Sequence, residues 1–264
     1  MNWEKQIKDH YKNQANEFGS SKQSTMKDLF IRNREVEEII KCIQEINLRF
    51  GDDYKILDIG CGNGCLAEEI EKILPNKIIG IDFSEELLGV AKNRNLKNVT
   101  FQQGNALQLE FADNSFEIIL TERCLINLES WENQKKALEE IKRILRPNGI
   151  FILTEAFTDG WENLNLAREA LELKPIPQPF HNNFIKKDEF LSFIKNRFEL
   201  VDMGQKYNFL SSYYFGARTI YPSLIDKKKE LIYNNKFIEF FNYLPPFGNY
   251  SSIQIFCLKK LIKI

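Results

Sequence analysis

The stretch KILDIGCGNG, Lys55 to Gly64, decides how this chain is read. It opens as a short apolar strand with Asp58 inside it, then places glycines at 60, 62 and 64. A helical run from Cys65 to Leu74 follows and is stopped by Pro75. A buried strand, a tight turn and a helix N-terminus form the entry to a nucleoside-binding α/β domain. The glycines let the backbone turn sharply and approach a ligand where a Cβ would collide. Their G-x-G-x-G spacing differs from the GxGxxG of a dinucleotide site. The next segment, KIIGIDF from Lys77 to Phe83, reads as a second strand closing on an acid. Ser84 is placed to cap the following helix, with Glu85 and Glu86 in its first turn. An acid such as Asp82 at this strand end suits the two hydroxyls of a ribose.

Outward from this core, strand and helix patterns alternate. Val36, Ile39, Ile40, Ile43 and Ile46 recur at helical spacing between Arg34 and Asn47. Strands are expected at 99–102, 116–120, 149–154, 198–201 and 253–259. A helix capped by Ser130 is expected before Pro147-Asn-Gly149, and another from Asp188 to Asn196. The alternation implies an α/β, doubly wound, mostly parallel sheet in one domain over 1–264. Residues 1–50 would form N-terminal helices, 51–156 the cofactor core, and 188–204 with 250–264 the rest of the core. Two stretches fall outside that pattern, 157–187 with Pro175, Pro177 and Pro179, and 205–249. The second holds six of the nine tyrosines (207, 213, 214, 221, 233, 243), with Tyr250 directly after it, and is expected to be a folded aromatic cap on the acceptor side.

Bulk properties narrow the function. Hydrophobic residues make up 43% of 264, ample for a core, and 36 basic residues against 37 acidic ones leave a net charge of −1. No global field favours nucleic acid or an anionic membrane. No signal-peptide core or membrane-length apolar run is present, and five scattered cysteines fit a reducing, cytoplasmic setting. Cys61 and Cys65 lack a second pair or a nearby His, so no metal is expected.

ILDIGCGNG and IGIDFS together resemble the first two motifs of class I S-adenosylmethionine-dependent methyltransferases, and the resemblance runs from about Lys55 to Ala156. It implies a Rossmann-like sheet of seven strands with the last one antiparallel, and S-adenosyl-L-methionine as cofactor with no metal. It further implies that Gly60, Cys61, Gly62 and Gly64 pass beneath the methionine part and that Asp58 orients its amino group. Asp82 would take the ribose hydroxyls, Phe83 the adenine face, and Asn105 and Ala106 the adenine edge. Asn105 stands where relatives commonly carry an acid. Thr121 would also bind the cofactor, and Tyr11, in a segment resembling a lid helix (His10 to Phe18), would cover it.

A sulfonium methyl is already activated, so the protein must align an acceptor and exclude water. A hydroxyl acceptor must also lose a proton, and His181 leads as its base, with Glu122 and Glu155 at strand ends as rivals. Arg123, Asn127, Asn165, Arg168, Asn182, Tyr213, Tyr214 and Arg218 are the candidate acceptor ligands, and arginines on three segments suit an anionic partner. TERCLINL, LNLAR and YYFGARTIYP also resemble methyltransferases of bacterial surface-polysaccharide pathways. The expected reaction is O-methylation of a sugar, nucleotide sugar or related phosphate metabolite. The alternatives are N-methylation of an amino sugar or peptide, and a nucleoside-binding regulator without turnover. Nucleic acid and membrane are not expected as partners, and the oligomeric state is open.

Overall fold

A computed structural model describes residues 3–24, 26–225 and 235–262. The aromatic cap expected over 205–249 therefore includes a segment, with Tyr233, that lies outside the described residues. Seven strands form one sheet: β1 (Lys55–Ile59), β2 (Lys77–Asp82), β3 (Val99–Gln103), β4 (Phe116–Glu122), β5 (Leu145–Ala156), β6 (Phe198–Val201) and β7 (Ile253–Lys260). Their order is β3-β2-β1-β4-β5-β7-β6. β1 to β5 pair in parallel and β7 runs antiparallel to both β5 and β6. The strand order reverses between β1 and β4, which opens a crevice at their carboxyl ends where ligands of such sheets bind.

Among the described residues the helices are α1 (Trp3–Phe18), α2 (Leu29–Phe50), α3 (Cys65–Ile73), α4 (Glu85–Lys92), α5 (Trp131–Ile144), α6 (Thr158–Glu169), α7 (Lys187–Ile194), α8 (Ser211–Phe215), α9 (Tyr221–Leu224) and α10 (Lys236–Asn242). Strand residues alternate between two cores, as period-2 geometry demands. Ile118, Leu120, Ile150 and Ile152 join α2 and α3 on one face. Ile119, Phe151 and Leu153 join α5 and α7 on the other. Each of these aliphatic side chains, fully buried, contributes roughly 1.5–3 kcal/mol.

Two element ends differ from expectation. α2 begins at Leu29, not Arg34, because the Asp28 carboxylate accepts from the N–H groups of Phe30 (3.1 Å) and Ile31 (3.4 Å). β5 begins at Leu145 and passes through Pro147-Asn148-Gly149 with a shift of register against β4, so that turn signal marks an irregularity inside a strand. Ser84 and Ser130 cap α4 and α5 as read from sequence, accepting from Leu87 N and Asn133 N at 3.2 Å each.

Candidate active site

The turn after β1 is shaped by its glycines in two ways. Gly60 has φ +79°, and a Cβ there would lie 2.7 Å from the Cys124 side chain. Gly62 has φ +54° and open space where its Cβ would be, so its bare backbone faces a cavity of about 370 Å³. Cys61 shares this wall, whereas Gly64 packs against Phe101 behind it and does not reach the cavity. The Asp82 carboxylate accepts from Gly62 N and Ser84 N, both at 2.8 Å, which ties the ends of β1 and β2 together. Burial pushes that carboxyl upward, opposed by these N–H groups. Phe83 and Ala106 line the same side. Asn105 does too, but its Oδ1 already accepts from Leu107 N (2.9 Å) in a local turn, so only its second lone pair serves a ligand.

Asp58 stands behind the wall, not on it. Burial and the neighbouring Glu122 and Asp82 push its carboxyl up to about 8, against Arg32, and its Oδ2 has no hydrogen-bond partner among the described residues. A buried acid left incomplete in this way fits an ammonium group approaching directly or through water. Thr121 is wholly buried and also lies off the cavity.

The opposite wall comes from the end of β4, the following turn, α1 and the 180s loop. Glu122, Arg123 and Asn127 line it, together with Tyr11, His181 and Asn182. Arg123 has φ +52°, uncommon for a long side chain, and is held by its N–H to Thr154 O (2.8 Å) and by Asn127 Nδ2 donating to its carbonyl (2.8 Å). α1 closes the roof. Trp3 Nε1 donates to Asn127 O (2.9 Å), and Lys8 Nζ sits 4.5 Å from the centre of the Phe83 ring. Burial and Asp82 raise the Tyr11 phenol, which stays protonated.

The two histidines of the chain meet at this wall, stacked with ring centres 4.1 Å apart. Burial, then His10 and Arg123, lowers His181 to about 4, and burial lowers His10. His181 Nδ1 is buried without a hydrogen-bond partner among the described residues.

Several expected site residues turn out to be structural. Glu155 is completely buried and accepts from Cys124 N (3.1 Å), Leu125 N (3.0 Å) and Ile126 N (3.3 Å). It caps the turn after β4 and lies off the cavity, so it is not a base for the acceptor. Asn165 latches the proline-rich loop, exchanging hydrogen bonds with Ile176 through Oδ1 (2.8 Å) and Nδ2 (3.1 Å). Arg168 donates to the carbonyls of Lys174 and Arg218. Arg218 donates to Asp28 at 2.6 Å, and Tyr213 OH lies 2.9 Å from either Asp28 oxygen. Tyr214 packs on the core beside them. Tyr213 and Arg218 thus dock the second insertion to α2, and Arg168 links it to the first. No described residue of 205–249 lines the cavity, so the described part of that segment does not form the expected cap over it.

Among the residues missed from sequence are one on the wall, Arg32, and one buried behind it, Glu35. Arg32 lines the cavity and pairs closely with Glu122, both nearly buried. Glu35, entirely buried behind them, lies 3.2 Å from Arg123 Nε. The signal was present, because Arg32 and Glu35 fall on the helical stripe that continues through Val36, Ile39, Ile43 and Ile46. Charges on a buried stripe imply buried partners.

The sheet order, the glycine turn beside an acid on β2 and the cavity across the two define a Rossmann-like nucleoside-cofactor protein. A methyltransferase-domain family profile matches residues 50–201, and the chain belongs to that family. It is 29% identical over 173 residues to a sterol 24-C-methyltransferase of Aspergillus fumigatus, covering 62% of this chain and 45% of that one. It is 36% identical over 121 residues to a demethylmenaquinone methyltransferase of Symbiobacterium thermophilum, covering 43% and 46%. The chain spans about half the length of these curated relatives or less. The YcgJ protein of Bacillus subtilis shares the fold at a TM-score of 0.51 and 19% identity, covering 84% of this chain and 99% of that one. The [4+2]-cyclase SpnF shares it at 0.53 and 19%, covering 85% and 82%.

The family implies S-adenosylmethionine as cofactor, and the residues present fit it. Asp82 would hold the ribose, Phe83 and Ala106 the adenine, and the bare Gly62 backbone the middle of the molecule, with Asp58 behind the amino group. Among the described residues no cluster of three or more His, Cys, Asp or Glu could hold a metal ion, and no helix is long and apolar enough to cross a membrane. The five cysteines are free thiols.

Proposed function

We propose that this methyltransferase acts on a hydroxyl of a small, polar, sugar-like acceptor, with His181 taking the hydroxyl proton. The observation that carries the reading is His181 itself, an imidazole on the acceptor wall, neutral at physiological pH, whose Nδ1 has no hydrogen-bond partner among the described residues. When bound, the cofactor supplies an electrophilic methyl carbon. The protein has to exclude water, align the acceptor oxygen and receive one proton. α1 supplies the exclusion, and the turn carrying Arg123 and Asn127, held by Glu155, supplies the alignment.

Size and charge favour a smaller and more neutral acceptor than sequence alone suggested. The cavity of about 370 Å³ stands at the low end of small-ligand sites, roughly 300–1,000 Å³, and must hold the cofactor as well. Arg32 and Arg123 each face a carboxylate, and Arg168 and Arg218 are engaged elsewhere. This supports a monosaccharide or comparable polyol over a nucleotide sugar or a phosphate.

Incubation with S-adenosylmethionine and a panel of sugars, amino sugars, nucleotide sugars and sugar phosphates tests the proposal, with methylated product identified by mass spectrometry. A neutral sugar O-methylated by the wild type and not by His181→Ala supports it. N-methylation of an amino sugar that survives His181→Ala overturns it in favour of an amine acceptor.

A further inference from the structure

The floor between β4 and α2 holds an excess of acid. Glu122 lies on the cavity wall with Arg32, and Glu35 lies behind it with Arg123. The Glu35 and Glu122 carboxyls are within hydrogen-bond reach of one another. Neither Glu35 oxygen receives a well-formed hydrogen bond among the described residues. Two carboxyls in such contact are satisfied by one shared proton. The groups facing the pair come from every side: Arg32 on α2, Arg123 after β4, Asp58 on β1 towards Glu122, and Tyr214 on α8 towards Glu35. Three carboxyls thus stand against two guanidiniums in a buried space.

The position of this floor follows from the sheet. The ribose and adenine side of the cavity lies at the ends of β2 and β3, and the order β3-β2-β1-β4 carries an extended ligand towards β4. The far end of the cofactor, with its sulfonium and amino groups, would therefore come to the Glu122 side.

We propose that the Glu35–Glu122 pair is a charge-sensing floor that gives up its shared proton when the cationic cofactor binds, so that the cavity prefers the sulfonium form to the neutral thioether product. The proposal rests on the cofactor assignment above. The balance is simple: one cationic ligand enters and one proton leaves to solvent. After methyl transfer the sulfur is neutral, the extra carboxylate loses its partner, the proton returns and the product is released. Burial and Glu122 hold Glu35 up at about 8 against the pull of Arg123 and Arg32, so at pH 7 the proton is present before binding. The two guanidiniums, Arg32 first, hold Glu122 below its usual range against burial, so Glu35 carries the proton. Glu35 meets the ligand only through Glu122 and Arg123, and is a positioning residue.

Titration calorimetry at pH 7 in two buffers of different ionisation enthalpy counts the protons released by S-adenosylmethionine and by S-adenosylhomocysteine. Both ligands carry the same amino and carboxyl groups, so the difference isolates the sulfonium. The wild type should release about 0.5–1 more proton with the sulfonium ligand. Glu35→Gln should remove that difference and reduce the preference for the sulfonium ligand about fivefold to tenfold, leaving S-adenosylhomocysteine affinity within about threefold. Equal proton counts in the wild type overturn the proposal, and that comparison needs no variant to fold. A difference lost in Asp58→Asn but kept in Glu35→Gln also overturns it. Binding of neither ligand would instead overturn the cofactor assignment, and the proposal with it.

Discussion

His181 lies where burial, His10 and Arg123 all disfavour its charge, which lowers it to about 4. A base must be unprotonated, and a lowered value keeps it so at every pH above about 4. The acid limb of kcat/KM should therefore fall near pH 4, not near the unperturbed value of about 6.5. A limb at 6.5 in the pH–rate profile would remove His181 from that role. His181→Ala should lower turnover by about 10²–10⁴ and leave cofactor affinity, measured by calorimetry, within about threefold. Asp82 has a different part, because its carboxylate already ties Gly62 to Ser84 and leaves lone pairs for the ribose. If Asp82 accepts from both ribose hydroxyls, Asp82→Ala should weaken cofactor binding by about 100-fold or more.

At the scale of elements, the N-terminus of α2 is a junction. Asp28 caps the helix and also accepts from Tyr213 and Arg218 of the second insertion. These contacts fix the helix bearing Arg32 and Glu35 to the second insertion. Asp28→Ala leaves the Arg218 guanidinium buried without its carboxylate and should cost about 3–5 kcal/mol, read as a lowered denaturation midpoint. Conversely, Tyr213→Phe should lower stability by about 1–3 kcal/mol while leaving the acceptor KM unchanged, because Tyr213 touches Asp28 and not the cavity. A large rise in KM at unchanged stability would restore it to the acceptor site.

Across the whole molecule, the cavity is a sheet edge roofed by α1, whose buried apolar residues Ile7 and Ala15 stand outside both large clusters. Neither apolar cluster draws a residue from α1, which is held by Trp3 to Asn127, by His10 on His181 and by Lys12 opposite Glu86 at 4.0 Å. A helix attached by such contacts opens at little cost relative to the global fold. Removing residues 1–18 should leave the circular dichroism of the sheet and helices largely intact while weakening cofactor binding at least about tenfold. Loss of the fold instead would make α1 structural.

The half of the site that reads one ligand end was legible in the chain because its determinants are local. A strand, a turn with bare backbone and an acid closing the next strand are each specified by neighbours in sequence, and they stand together once the sheet forms. Seven strands and their near-correct ends followed from periodicity and capping for the same reason. The acceptor half was not legible. Arg168, Tyr213 and Arg218 have the chemistry of ligand-binding residues, and only the contacts of Tyr213 and Arg218 with Asp28, and of Arg168 with the Lys174 and Arg218 carbonyls, show that they hold the fold together. Arg32 and Glu35 look like surface charges on a helix until β4 is set beside them. His10 and His181 come from distant segments and meet only by packing. Local rules determined the strands and the glycine turn beside Asp82. Tertiary structure decided which polar groups face a ligand and which face each other, because a charge acquires its role from the groups that desolvate and pair with it.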